Sequence, residues 1–384
     1  MDKSTTALAT PLRDHLDRLS SFEASEDAPV LSLYLDTQAD EHGRDRYDVW
    51  LRKTLTDRSQ TFKGEARQSF DADVERINAF LSDAARPSAN GLAIFACSAR
   101  GLFETIQLDV PFDDHWLFVG SVPHLYPLAR VNDQYPRYAA LVADTNSARL
   151  FVFGLGATER GEEIHNTKTR KSSAGGWSQA RYQRRVANFH LHHLKEVVDT
   201  LERVVRDEQV NHIVIACDDV TKPTLLEQLP KQLSEKVVDI TRLDIRAPER
   251  DVLVATLEAL RGRDAQTDVE HVDALIGAWR ANGLGVVGPD DTLKALEMGQ
   301  VEELLITATP DRLQTIGTPP VDVAPGPVEV DTSAPAAALD AERLKLADEL
   351  VTRAQQTSAR IRFIEDPALL SDVGGVGALP RFRI

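Results

Sequence analysis

Residues 164–195 hold the densest set of chemically capable side chains in the sequence. No Asp or Glu occurs from Ile164 to Lys195, while Lys168, Arg170, Lys171, Arg181, Arg184, Arg185 and Lys195 carry seven positive charges. At the centre stands Ser172-Ser173-Ala174-Gly175-Gly176-Trp177-Ser178-Gln179-Ala180-Arg181-Tyr182. Two adjacent glycines permit positive φ and close approach of backbone to a ligand. Arg and Lys suit phosphate, and Trp177 and Tyr182 suit stacking on bases. The chemistry open to this pattern is recognition of a polyanion. A solvated basic loop has the same composition, but the complete lack of balancing acid favours a polyanionic partner.

Other reactive groups fit plainer roles. His190, His192 and His193 sit close together, but on a helix only His190 and His193 share a face, and no carboxylate is near them in sequence. A metal site is therefore disfavoured against a surface or RNA-facing role for all three. Asp144 and Asp218 could be the paired carboxylates of a nuclease-like domain, but a turn role and a helix-cap role account for them. Ser178 lacks the Gly-x-Ser-x-Gly surroundings of a serine hydrolase. Cys97 and Cys217 each lie in an apolar run and read as buried, reduced thiols. Trp279 reads as core.

Three segments must position these residues. To about residue 135, the pattern gives a strand over Val30–Asp36, polar helix from Asp45 to Ala84, and strands over Gly91–Cys97 and Gly101–Leu108. The second segment, 136–267, opens with a hairpin turned at Asp144-Thr145-Asn146-Ser147. The basic span follows, then a helix on which Val186, Phe189, Leu194, Val197, Leu201, Val204 and Val205 keep a 3.6-residue period. Asn211–Cys217 and Val237–Ile240 are strands, with helices over Thr224–Gln232 and Glu249–Arg261. Alternating strand and helix predicts an α/β fold. The third segment, 268–384, predicts a helix over His271–Ala281, another capped by Asp290 or Asp291, a strand at Glu303–Ile306, and a Pro/Ala-rich insertion over 318–340. A helix over Ala341–Ser358, a strand over Arg360–Ile364 and a Gly-rich tail complete it.

The chain has 384 residues and a formal net charge of −16, so removing the +7 span leaves −23 on the rest. That length predicts two or three domains. An acidic body argues against indiscriminate nucleic-acid binding, which needs dispersed Lys and Arg. No stretch approaches the roughly 20 apolar residues of a membrane span, and the first 20 residues lack a signal-peptide core. The expectation is a soluble, cytoplasmic protein that binds no membrane.

With these residues in place, the sequence resembles the archaeo-eukaryotic peptide chain release factor and Pelota superfamily, as a bacterial member. Gly175-Gly176 with Gln179, between a hairpin and a long amphipathic helix, resembles the family's Gly-Gly-Gln loop. Gly176-Trp177-Ser178-Gln179 fits the Gly-x-x-Gln form of bacterial relatives and of ribosome-quality-control peptidyl-tRNA hydrolases. Asp291-Thr292-Leu293-Lys294-Ala295-Leu296-Glu297-Met298-Gly299-Gln300-Val301-Glu302 is similar to a helix of the family's C-terminal domain, and Gly374-Gly375-Val376-Gly377-Ala378-Leu379-Pro380-Arg381-Phe382 to its last strand. The resemblance covers about 136–384. The first segment has no Asn-Ile-Lys-Ser motif, so stop-codon reading does not carry over.

The pattern gives an N-terminal α/β domain (1–135), and the resemblance implies two more α/β domains after it: a release-factor-like mixed sheet with helices (136–267) and an L7Ae-like α/β/α domain (268–384). It implies a carboxylic ester hydrolase acting on peptidyl-tRNA in ribosome rescue, with no cofactor and no metal. Gln179 would position the attacking water, and Gly175 and Gly176 would admit the loop beside the tRNA end. Lys168, Arg170, Lys171, Trp177, Arg181, Tyr182, Arg184 and Arg185 would contact RNA. Implied partners are the ribosomal A site and peptidyl-transferase centre, peptidyl-tRNA, rRNA and a translational GTPase. The alternative is a factor that occupies the A site without hydrolysis, in hibernation or stall recognition. Such relatives often lack the glutamine that this chain retains.

Overall fold

The computed structural model describes residues 12–25, 28–38, 47–165, 179–281, 283–314 and 334–382. The first segment contains α1 (Leu12–Ser20), β1 (Val30–Asp36), α2 (Tyr47–Ser59), α3 (Gly64–Asp83), β2 (Gly91–Cys97), β3 (Leu102–Leu108), β4 (Trp116–Gly120) and α4 (Tyr126–Gln134). Its sheet runs β3-β2-β1-β4, antiparallel throughout. Alternate residues Leu31, Leu33 and Leu35 of β1 and Leu92, Ile94 and Ala96 of β2 face α2 and α3 through Leu51, Leu55, Phe70 and Ile77.

The second segment runs β5 (Tyr138–Ala143), β6 (Ser147–Gly154), β7 (Ala157–His165), α5 (Gln179–Asp207), β8 (His212–Cys217), α6 (Thr221–Gln228), the single turn α7 (Lys231–Ser234) and β9 (Val237–Thr241). α8 (Glu249–Arg280) follows. The sheet order is β7-β6-β5-β8-β9. β5, β6 and β7 form an antiparallel meander, whereas β8 and β9 continue from β5 in parallel, with Ala143 opposite Cys217. A parallel neighbour needs a crossover, and α5 provides it. Period-2 alternation splits the core. Ala139, Leu141, Ile213 and Ile215 pack against Leu194, Val197, Leu201 and Val204 of α5, while Tyr138, Ala140, Val142 and Val214 pack on the side of α8 with Val252 and Leu260.

The third segment contributes β10 (Val286–Val287), α9 (Pro289–Glu297), β11 (Val301–Thr307), α10 (Ala334–Gln356), β12 (Arg360–Ile364) and β13 (Val376–Pro380), in a mixed sheet ordered β10-β13-β11-β12. Gly375 precedes β13 at φ 81°, and a Cβ there would lie 2.9 Å from the Arg312 carbonyl oxygen. The close approach and the positive φ both demand glycine.

Three sheets in three segments match the sequence reading of an α/β chain. They gather into two compact units: residues 1–134 with 267–384, and residues 135–266. Two expectations are corrected. The helices predicted over Glu249–Arg261 and His271–Ala281 are one continuous helix, α8. Trp279, read as core, is 44% exposed.

Candidate functional site

The basic span occupies the connection from β7 to α5. β6 and β7 pair until Ser147 stands opposite His165, at the end of the sheet where β5 turns into β6. That turn is built by Asp144, whose Oδ1 accepts the Asn146 and Ser147 backbone N–H groups, both at 2.7 Å. The chain next has described structure at Gln179, the first residue of α5. Among described residues of α5, burial begins at His193. Gln179 to His193 is 14 residues, about 21 Å along the helix axis.

Lys168, Arg170, Lys171, Gly175, Gly176 and Trp177 lie outside the described residues. Gln179, Arg181, Tyr182, Arg184 and Arg185 fall in the first two turns of α5, and their side chains also lie outside the description. Positions 181, 184 and 185 stand at i, i+3 and i+4 spacing, which is one helix face. The first four N–H groups of a helix have no intrahelical acceptor and concentrate partial positive charge. α5 has no acid in its first turn, although acids are the residues that this end favours. Arg181 stands there instead, with Arg184 and Arg185 in the next turn.

The surface or RNA-facing role read for the three histidines is corrected for His193. His192 is exposed, His190 is half-buried and His193 is 1% exposed. Among the described residues neither ring nitrogen of His193 makes a hydrogen bond of good geometry, although the Ser147 backbone lies close. Burial pushes its pKa below the ordinary histidine range. The Ser147 backbone and the Glu196 and Asp144 carboxylates oppose that shift, and His190 adds to it. Asp144 is thus brought toward His193 from the turn, which local sequence could not reveal. Among the described residues no group of three His, Cys, Asp or Glu could hold a metal ion.

Asp218 caps α6, its Oδ1 accepting the Thr221 N–H at 2.6 Å, and the Thr221 hydroxyl and backbone hold its carboxyl below the usual range. Asp218 also lines a shallow cleft of about 280 Å³ with Cys217, Asp219, Arg242, Leu243 and Asp244, beyond the C-terminal ends of β8 and β9. Arg242 pairs with Asp219, so the cleft offers no free cation to a phosphate. Asp144 and Asp218 therefore fill the turn and cap roles read from sequence.

At the opposite end of the unit an ion-pair ladder fixes α5 against β7. Arg160 Nη1 donates to Glu208 Oε1 at 2.7 Å and its Nη2 pairs with Glu162. Arg203 Nη2 reaches the other Glu162 oxygen at 2.7 Å, and Arg137 Nη2 reaches Glu208 Oε2 at 2.7 Å. These pairs hold Glu162 and Glu208 below the usual carboxylate range. Sequence reading missed them, because pairs separated by 41 to 71 positions leave no local signal.

Compared with known proteins, residues 123–261 match the model of bacterial archaeo-eukaryotic release factor family 10. No curated protein matches the chain. Among solved structures it is similar to archaeal Pelota, in a model of ribosome-bound Pelota and ABCE1, at 14% identity and TM-score 0.41, covering 98% of this chain and 95% of that one. It is similar to S. cerevisiae Dom34, described as a translation termination-like factor in RNA quality control that interacts with Hbs1, at 10% identity and TM-score 0.37, covering 76% and 81%. The archaeal translation termination factor aRF1 gives 16% identity and TM-score 0.23, covering 97% of each chain.

Proposed function

We propose, for a chain whose residues 123–261 match the model of bacterial archaeo-eukaryotic release factor family 10, that it acts on the ribosome and hydrolyses the ester bond of peptidyl-tRNA in rescue of stalled ribosomes. One observation carries the reading: the family segment brackets the acid-free span, which joins β7 to the start of α5. Seven cations without an acid, on a chain of net −16, suit a single polyanionic site.

Chemistry by positioning fits Gln179. A carboxamide cannot serve as a base near neutral pH, so its contribution is to orient water and stabilise developing charge. Its place as the first residue of α5 supports a backbone role as well, since N–H groups of the first turn have no intrahelical acceptor. Those donors can meet a water or the oxyanion formed when water attacks the ester carbonyl carbon. The bond to the tRNA 3′-terminal oxygen then breaks, freeing a carboxylate and a tRNA hydroxyl. Gly175 and Gly176 allow the backbone to approach the tRNA end. Lys168, Arg170, Lys171, Arg181, Arg184 and Arg185 bind phosphates, with Trp177 and Tyr182 stacking. Release of peptide from ribosomes carrying peptidyl-tRNA, with wild type and Gln179→Ala compared, tests the reading. Tight binding without release is the outcome for an A-site occupant.

A further inference from the structure

Helix α4 carries no cap of its own. It starts from Pro123-His124-Leu125-Tyr126-Pro127, which lacks the Ser, Thr, Asp or Asn that satisfies the first helical N–H groups. The cap comes from the third segment. Asp348 of α10, 7% exposed, accepts Leu125 N–H at 2.6 Å and Tyr126 N–H at 3.1 Å on Oδ1, and His124 Nδ1 lies 3.2 Å from the same oxygen. Tyr126 then donates its hydroxyl to the Thr307 carbonyl at 3.0 Å and sets its ring edge-on to Phe363 at 5.2 Å. α1 is tied to the same helix, with Gln355 Nε2 donating to Asp17 at 2.6 Å and Gln356 Nε2 to the Ser20 carbonyl at 2.7 Å.

β12 holds both places where the chain leaves and re-enters this unit. Phe363 N–H donates to Asp133 at 3.0 Å, just before the chain departs after Gln134. The neighbouring Arg362 reaches Asp268 at 3.2 Å, just after the chain returns at Thr267. A buried carboxylate that caps a helix in another segment couples the two, because neither partner is satisfied when the other is unfolded.

We infer that the first and third segments fold as one cooperative body keyed by Asp348, and that residues 135–266 are an insertion into it rather than the middle of three independent modules. This rests on the hydrogen bonds of that unit and stands whether or not the proposed function does. Native-state hydrogen exchange on the full chain in rising urea tests it. Amides of β1 and β2 are expected to join those of β11 and β12 on one unfolding isotherm, with β5 and β8 on another. Asp348→Ala is expected to lower protection in both outer sheets by the same factor, about 2- to 30-fold, leaving β5 and β8 unchanged. Separate isotherms for β1–β2 and β11–β12 in the wild type, which needs no variant to fold, would overturn it. So would loss of protection confined to one outer sheet in the variant.

Discussion

His193 shows how one residue's environment becomes a pH dependence. Its pKa lies below the unfolded value because burial disfavours the imidazolium. The unfolded chain therefore binds the proton first as pH falls. Stability from this group is complete above the unfolded value of about 6.5, and is lost as pH drops from there through the lower folded value. His193→Leu removes the buried ring and keeps an apolar body. Thermal unfolding between pH 7 and 5 is expected to show a flatter decline for the variant; equal slopes would mean that His193 does not set the dependence. Legibility at this scale followed distance along the chain. Asp144 and Asp218 act on N–H groups two or three positions away, so their turn and cap roles were readable. The burial of His193 against a distant turn was not, and neither was Asp348, whose partners lie 222 and 223 positions away.

At the scale of elements, α5 was the most legible feature, since its apolar period persists across the helix core. α8 was read as two helices because Gly262 and the polar run after it interrupt the pattern. A glycine in a helix interior costs only about 1 kcal/mol, and flanking packing on Leu260, Val272 and Leu275 carries the helix through. The ladder that holds α5 to β7 makes its own prediction. Glu162 and Glu208 have folded pKa values below the unfolded ones, so their contribution is present above the ordinary carboxylate range and is lost as pH falls through the folded values. Exposed pairs are individually weak, but Arg160 serves two of them at once. Arg160→Met is expected to lower the middle unit's Tm by about 2–6 °C at pH 7. The loss should shrink as pH falls below about 4. A variant with wild-type Tm at pH 7 would show the ladder to be passive.

At the scale of the molecule, charge distribution decides the partner. The sum of −16 hides a +7 span on a −23 remainder, a distribution that suits the proposed selective partner: an acidic body disfavours nonspecific polyanions, and one cationic span is left to meet a single site. Arg184→Glu with Arg185→Glu is expected to weaken ribosome co-sedimentation at every salt concentration and to reduce the salt slope by about 1–2. Identical curves would place the contact elsewhere. The organisation into outer body and inserted unit was not legible, because α4, α10 and β12 meet through residues more than 200 positions apart. The Gly-x-x-Gln pattern is read from the sequence alone, and its glutamine is the residue on which the functional proposal turns. The most direct measurement is the rate of peptide release from purified ribosomes carrying peptidyl-tRNA, with binding monitored in parallel. Wild type is expected to release peptide, and Gln179→Ala to bind equally while releasing it about 10²- to 10³-fold more slowly, the loss typical of a single positioned donor. Equal binding with equally absent release in both proteins would contradict hydrolysis and leave a factor that only occupies the ribosome.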